Sequence, residues 1–170
     1  MERNWVHSVS SFIRSKICGL ISRFKKLSGV GWEHMSERAR KAFYDAVSIA
    51  RQKGHQQVEP EHLLMAILSQ DDSVAHRIVG RFAEVEAVLL ELAEYLSEAP
   101  PTGAAVSEVR LSARSRSVVL RALKQATESP DNWVGTHHLL YGIVSERNGF
   151  AAKVLLRRGL SPEVVIHSLS

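Results

Sequence analysis

The sequence repeats itself. Val58-Glu-Pro-Glu-His62-Leu63-Leu64-Met-Ala-Ile67 matches Val134-Gly-Thr-His-His138-Leu139-Leu140-Tyr-Gly-Ile143 at a shift of 76 positions. The same ungapped shift pairs Ser36, Arg38 and Arg40 with Ser112, Arg114 and Arg116. It also pairs Ala46 and Ala50 with Ala122 and Ala126, Ala75 with Ala151, and Arg81 with Arg157. One register held over so long a stretch marks a duplication, and each copy must bury an apolar face that it cannot cover alone.

Each copy is expected to be helical. Ser36 is placed to cap a helix whose apolar residues Ala39, Ala42, Phe43, Ala46, Val47 and Ala50 keep helical spacing up to Gly54. Pro60 suits the first turn of a second helix reaching Leu68, with Glu59 and Glu61 near its positive end. A third runs from about Ser73 to Phe82, and a fourth from Ala83 to Leu96. After a linker at 97–110, broken by paired prolines and Gly103, the plan recurs. The helices expected there are Ser112–Ser129, Thr136–Glu146 capped by Thr136, Phe150–Arg158 and Ser161–Leu169. No segment alternates as a strand does. The expected fold is all-α: two pseudo-symmetric four-helix repeats, 35–96 and 111–170, packed as one domain over 34–170, with residues 1–33 as an extension.

Charge separates that extension from the body. Residues 1–33 carry six basic and two acidic side chains, and the remainder carries sixteen of each. A neutral body lacks the basic field that nucleic-acid binding needs, which argues against that function. Within the extension, Trp5, Val9, Phe12, Ile13, Ile17, Leu20, Ile21, Phe24 and Leu27 fall along one helical stripe. Arg14, Lys16, Arg23, Lys25 and Lys26 lie mostly at its margins. The charges leave no uncharged run of the ~20 residues that would cross a bilayer. Three readings stand: a helix on an anionic membrane surface through residues 3–27, a helix docked on protein, or an organelle-targeting peptide. Lys26 to Gly31 then reads as a loop. The single cysteine, Cys18, excludes an internal disulfide and fits a reducing compartment. The location expected is cytoplasmic, with peripheral membrane attachment left open.

Catalytic signals are missing from the sequence. No Gly-x-x-x-x-Gly-Lys-Ser/Thr loop is present to cradle nucleotide phosphates, and no Gly-x-Ser-x-Gly elbow is present for hydrolysis. Cys18 has no paired histidine. His137 and His138 are adjacent, so on a helix they point about 100° apart and cannot chelate one ion from one face. His62 and His138 hold equivalent repeat positions and read as helix-start histidines that fix the core by hydrogen bonds. Catalytic residues, metal and cofactor are each expected to be none. A partner groove between the repeats would draw on Trp133, Val134, Val58 and Tyr141, although Val58 and Val134 read equally well as symmetric core.

These residues resemble the double-motif N-terminal domain of Clp-family protein unfoldases. The resemblance covers residues 35–170. Ser36-Glu-Arg-Ala-Arg-Lys-Ala42, Gly54-His55 and Glu61-His62-Leu63-Leu64 carry it, with Val134-Gly-Thr-His-His-Leu-Leu-Tyr-Gly142 and Gly149-Phe-Ala-Ala-Lys-Val-Leu155 followed by Gly159. It implies a module that binds substrates or adaptors in front of an ATPase ring, here free-standing. Its expected partners are Clp ATPase or protease subunits and protein substrates. In the phosphoarginine-reading branch, helix starts bearing Thr-Glu-His form one anion and guanidinium site per repeat. Glu61 and His62 match that pattern in the first repeat, as Thr136 and His138 do in the second. Pro60 and His137 depart from it, which argues against phosphoarginine recognition. The function expected is a non-enzymatic accessory or adaptor of a Clp system, with contacts at Val58, Glu61, His62, Trp133, Val134, Thr136, His137 and Tyr141. The alternative is a membrane-tethered interaction scaffold of the same fold.

Overall fold

The computed structural model of the chain describes residues 32–101, 109–128 and 133–168, together with Ser22. The helix expected over residues 3–27 and the loop after it lie outside the described residues. So do 102–108 of the linker, Ser129 and Leu169. A 3-10 turn at Trp32–His34 leads into eight helices among the described residues. They are α1 Glu37–Gln52, α2 Pro60–Leu68, α3 Val74–Val79, α4 Val85–Glu98, α5 Ala113–Thr127, α6 Thr136–Val144, α7 Phe150–Leu156 and α8 Pro162–His167. The repeat shift superimposes α1–α4 on α5–α8, so both expected four-helix units are present.

The caps follow the side-chain chemistry. Ser36, Ser73, Ser112 and Ser161 each accept a hydrogen bond from a backbone N–H of the first turn they precede. The expected cap at Thr136 is corrected. Gly135 holds the N-cap position, Thr136 is the first helical residue, and its hydroxyl accepts from the Ala75 N–H of α3 at 3.3 Å. Position 60 offers no hydroxyl in the first repeat, because a proline there supplies only a pre-set φ.

The expectation of no strands is also corrected. β1 Gln57–Val58 and β2 Arg110–Leu111 form a parallel pair, with Val58 opposite Leu111. A second parallel bridge joins Met35 to Val134. These segments are too short to show alternation, which is why the sequence hid them. Their pairing is crossed: the residue leading into α1 pairs with the one leading into α6, and the residues leading into α5 pair with those leading into α2. Two segments of the expected linker are therefore structural. Ser97 and Glu98 complete α4, and Val109 is buried beside β2.

A single core runs through both repeats, from Met35, Phe43 and Leu64 to Leu123, Leu140 and Leu155. α1 packs on α2 and α5 on α6, while α3 crosses to α6 and α2 to α7. At Gly142 of α6 an added methyl would overlap the carbonyl oxygen of Val118 on α5. The equivalent position in the first repeat is Ala66, fully buried, so the two repeats differ by a methyl at this contact. Backbone against backbone gives little room to relax. Gly142→Ala should therefore lower the stability of the whole domain by about 2 kcal/mol, the middle of the range for overpacking, read as a shift in urea midpoint at unchanged slope.

Candidate functional site

Two equivalent places in the fold gather charge, at the starts of α2 and α6. In each, the third residue of the helix is a histidine turned back on its own N-cap. His62 Nδ1 accepts from the Glu59 N–H at 3.0 Å, and His138 Nδ1 accepts from the Gly135 N–H at 3.0 Å. An accepting Nδ1 places the imidazole proton on Nε2. His62 Nε2 therefore donates to His55 Nδ1 at 2.8 Å, and the remaining His55 proton on Nε2 faces the Ala99 carbonyl. Burial drives the His62 pKa down to about 4, with His55 adding to the effect. Burial likewise lowers His137 to about 4 and His138 to about 3.

At the start of α2 the site is bridged by an ionic cluster. The Arg114 guanidinium enters from α5 and meets three carboxylates: Glu146 at 2.6 Å, Glu61 at 3.0 Å and Glu59 at 3.5 Å. Glu61 is fully buried, and its Oε1 also accepts from the Ala151 N–H of α7 at 3.2 Å. A buried carboxylate needs this compensation, since its hydration is lost. The hydrogen bonds to Glu146 and, against the opposing effect of burial, those to Glu61 hold Arg114 firmly in its charged form. Gly149 makes the approach possible, because a side-chain carbon there would fall on the guanidinium.

At the start of α6 all three carboxylates are replaced. Gly135 stands for Glu59, His137 for Glu61 and Gln70 for Glu146, while Ser73 stands for Gly149. Among the described residues, no buried carboxylate draws Arg38 inward as Arg114 is drawn. Arg38 instead pairs with the carboxylate of Asp72 at the surface, its Nε donating to Oδ1 at 3.0 Å. The Gln70 amide caps carbonyls of Arg38 and Ala66. His137 folds over Gly135 and against the ring of His138 at 4.0 Å, and its buried Nδ1 has no hydrogen-bond partner among the described residues. What remains is an open groove of about 960 Å³ between α1, the α2–α3 turn and the start of α6. Arg38, Asp72, Val74, Trp133, Thr136 and His137 are on its walls. The counterpart space is divided by Arg114 into two hollows, about 390 Å³ beside Glu59 and His62 and about 470 Å³ beside Glu146 and Phe150.

The expected contact residues divide accordingly. Val58 and Val134 are 1% and 0% exposed and lie in the crossed strand pairs, so neither faces solvent. Glu61, His62 and Thr136 are buried in hydrogen bonds, and Tyr141 packs against the core. Trp133, 51% exposed, and His137 are brought together at the groove, with buried Thr136 on its wall. Sequence reasoning paired Arg38 with Arg114 as repeat matches but gave neither a role. The signal was available in the same register, where positions 59, 61 and 146 are acidic in one site and 135, 137 and 70 are not.

A scan against family models matches residues 34–157 to the Clp repeat N-terminal domain. The chain belongs to this family. Its Clp N-domain is 31% identical over 125 residues to the chaperone ClpB of Mycobacterium leprae. It is 26% identical over 127 residues to the protease ATP-binding subunit ClpC of Staphylococcus aureus. These matches cover 73% and 75% of this chain but 15% of each relative, so the chain spans a small part of their length. Among solved structures, the Hsp104 N-terminal domain of Candida albicans has the same fold with a TM-score of 0.67 at 20% identity, covering 79% of this chain and 87% of that one. The N-terminal domain of the ClpV1 ATPase from Escherichia coli reaches 0.69 at 18% identity, covering 86% and 90%. No part of the match extends to an ATPase domain, and no helix among the described residues is long and apolar enough to cross a membrane.

Two outcomes follow from the charge arrangement in this Clp N-domain. His62, His137 and His138 have folded pKa values near 3–4 against about 6.5 when unfolded, so the unfolded chain binds more protons in that window. Stability is then full above about pH 7 and falls as pH drops from 6.5 toward 4. His138→Asn, which keeps an acceptor for the Gly135 N–H, should remove about one proton from the pH slope near pH 5 in urea titrations. Gly149→Ala should displace Arg114 and lower stability by roughly 2 kcal/mol, and Glu61→Gln in that background should recover part of the loss by removing the stranded charge.

Proposed function

We propose that this Clp N-domain is a non-catalytic binding module that presents protein segments, or Clp subunits, to a Clp-type unfoldase or protease, and that it does so through the groove at the start of α6. The observation that carries this reading is the contrast between the two helix starts. At the first, the chain's own Arg114 divides the space into hollows of about 390 and 470 Å³, while the second holds about 960 Å³ of continuous groove with Trp133 at its edge. An exposed tryptophan beside a polar rim is the composition that anchors protein contacts. Arg38, Lys41, Glu37, Asp71 and Asp72 place both signs of charge around it, which suits the main chain and mixed side chains of an extended segment more than a single anionic or cationic ligand. The names of the curated relatives, a chaperone and a protease subunit, support the assignment to protein quality control.

Affinity capture from the native source, read by mass spectrometry, tests this. Clp ATPase or protease subunits, or a defined client, should be retained by the full chain and lost at least ~10-fold with Trp133→Ala, as expected for an aromatic anchor. Retention unchanged by that substitution would remove the groove from the reading. The same capture with residues 1–31 deleted separates partners of the repeat domain from proteins or membranes held by the basic segment.

A further inference from the structure

The body of this chain is neutral overall, but its charge is segregated between two helices. Residues 84–98, which include all of α4, carry five glutamates and no Lys, Arg or His, whereas α5 carries three arginines and a lysine and no acid. On each helix the solvent-facing ridge has a leucine at its centre. On α4 it reads Glu86, Leu90, Glu94 at four-residue steps, and on α5 it reads Arg116, Leu120, Lys124 at the same steps. All six side chains are exposed, Leu90 at 62% and Leu120 at 38%. The four charged ones have no ionic partner among the described residues. Within one molecule the two ridges serve different neighbours, because α4 packs on α2 and is tied by Glu91 to Arg157 and Arg158 near the end of α7, while α5 packs on α6.

We propose that a second copy of this chain covers these faces, α4 of one molecule packing on α5 of another with Leu90 against Leu120 and the two glutamates against Arg116 and Lys124. Ridges of four-residue spacing interlock on facing helices, and the acid–leucine–acid and base–leucine–base patterns match whichever way the helices run. Contact between two α4 faces or two α5 faces sets like charges together, so the pairing is between unlike faces. Each molecule then has one face of each kind to offer, which produces reciprocal pairs, rings or strings. A single helix pair buries little area, so the association is weak, and it is sensitive to salt because its charges are at the surface.

Sedimentation velocity of the full chain is the test. The expected result is a sedimentation coefficient that rises with concentration over roughly 10–200 µM at low ionic strength and returns to the monomer value in about 0.5 M salt. Glu86→Lys with Glu94→Lys, and separately Arg116→Glu with Lys124→Glu, should each sediment as monomers. An equimolar mixture of the two reversed proteins should associate again. The substitutions are at exposed positions, and unchanged thermal melting checks that both variants fold. A full chain that stays monomeric across this range overturns the proposal, and so does association indifferent to both reversals. Association that is indifferent to the reversals but lost on deleting residues 1–31 also overturns it and assigns the contact to the basic segment.

Discussion

The two crossed strand pairs hold the architecture together. Met35 bridges Val134 and Val58 bridges Leu111, so the backbone leading into the first helix of each repeat is hydrogen-bonded to the backbone leading into the second helix of the other. The pairs are only one or two residues long, but they set where four helices begin. They also fix which ends face each other: the start of α2 meets α7, and the start of α6 meets α3, with Glu61 on the Ala151 N–H and Thr136 on the Ala75 N–H. Helix starts leave backbone donors without partners, and in this domain each repeat supplies acceptors for the other.

Duplication also placed two equivalent pockets at these starts, and sequence drift has given them opposite electrostatics. Three carboxylates around Arg114 bridge one pocket with a partly buried ionic cluster and divide it in two. Glycine, histidine and glutamine at the corresponding places around Arg38 leave the other open, its arginine turned to Asp72 at the surface. The histidines are the shared element, neutral in both sites and serving as acceptors for the N-cap amide. One scaffold thus holds a structural version and an accessible version of the same geometry, and a substitution exchanged between them has a different meaning on each side.

Much of this fold was legible from one register. The shift of 76 positions, with helical spacing and Ser or Pro at the helix starts, located all eight helices to within a few residues, and the motif order identified the family. The β pairs were not legible, because a two-residue strand has no periodicity and its partner lies more than fifty residues away. Thr136 was misread as a cap because threonine commonly takes that role, while here the hydroxyl is taken by the Ala75 N–H of another helix. At the site, Trp133 stood out by residue type, whereas Val58 and Val134 are apolar for the sake of the crossed pairs. The role of Arg114 depends on glutamates from two distant segments converging on it, a tertiary fact with no local signature.

The crossing of the repeats bears on how the chain comes off the ribosome. Synthesis delivers α1–α4 first, at about 5–20 residues per second, yet the partners of Met35, Val58 and Glu61 are Val134, Leu111, Arg114 and the Ala151 N–H. For several seconds the leading half has open strand edges and a carboxylate that cannot be desolvated. Its cross-repeat contacts can form only once the trailing half emerges. A domain of helices, ordinarily built on local contacts, here depends through its duplication on pairings between distant segments, as a β protein does.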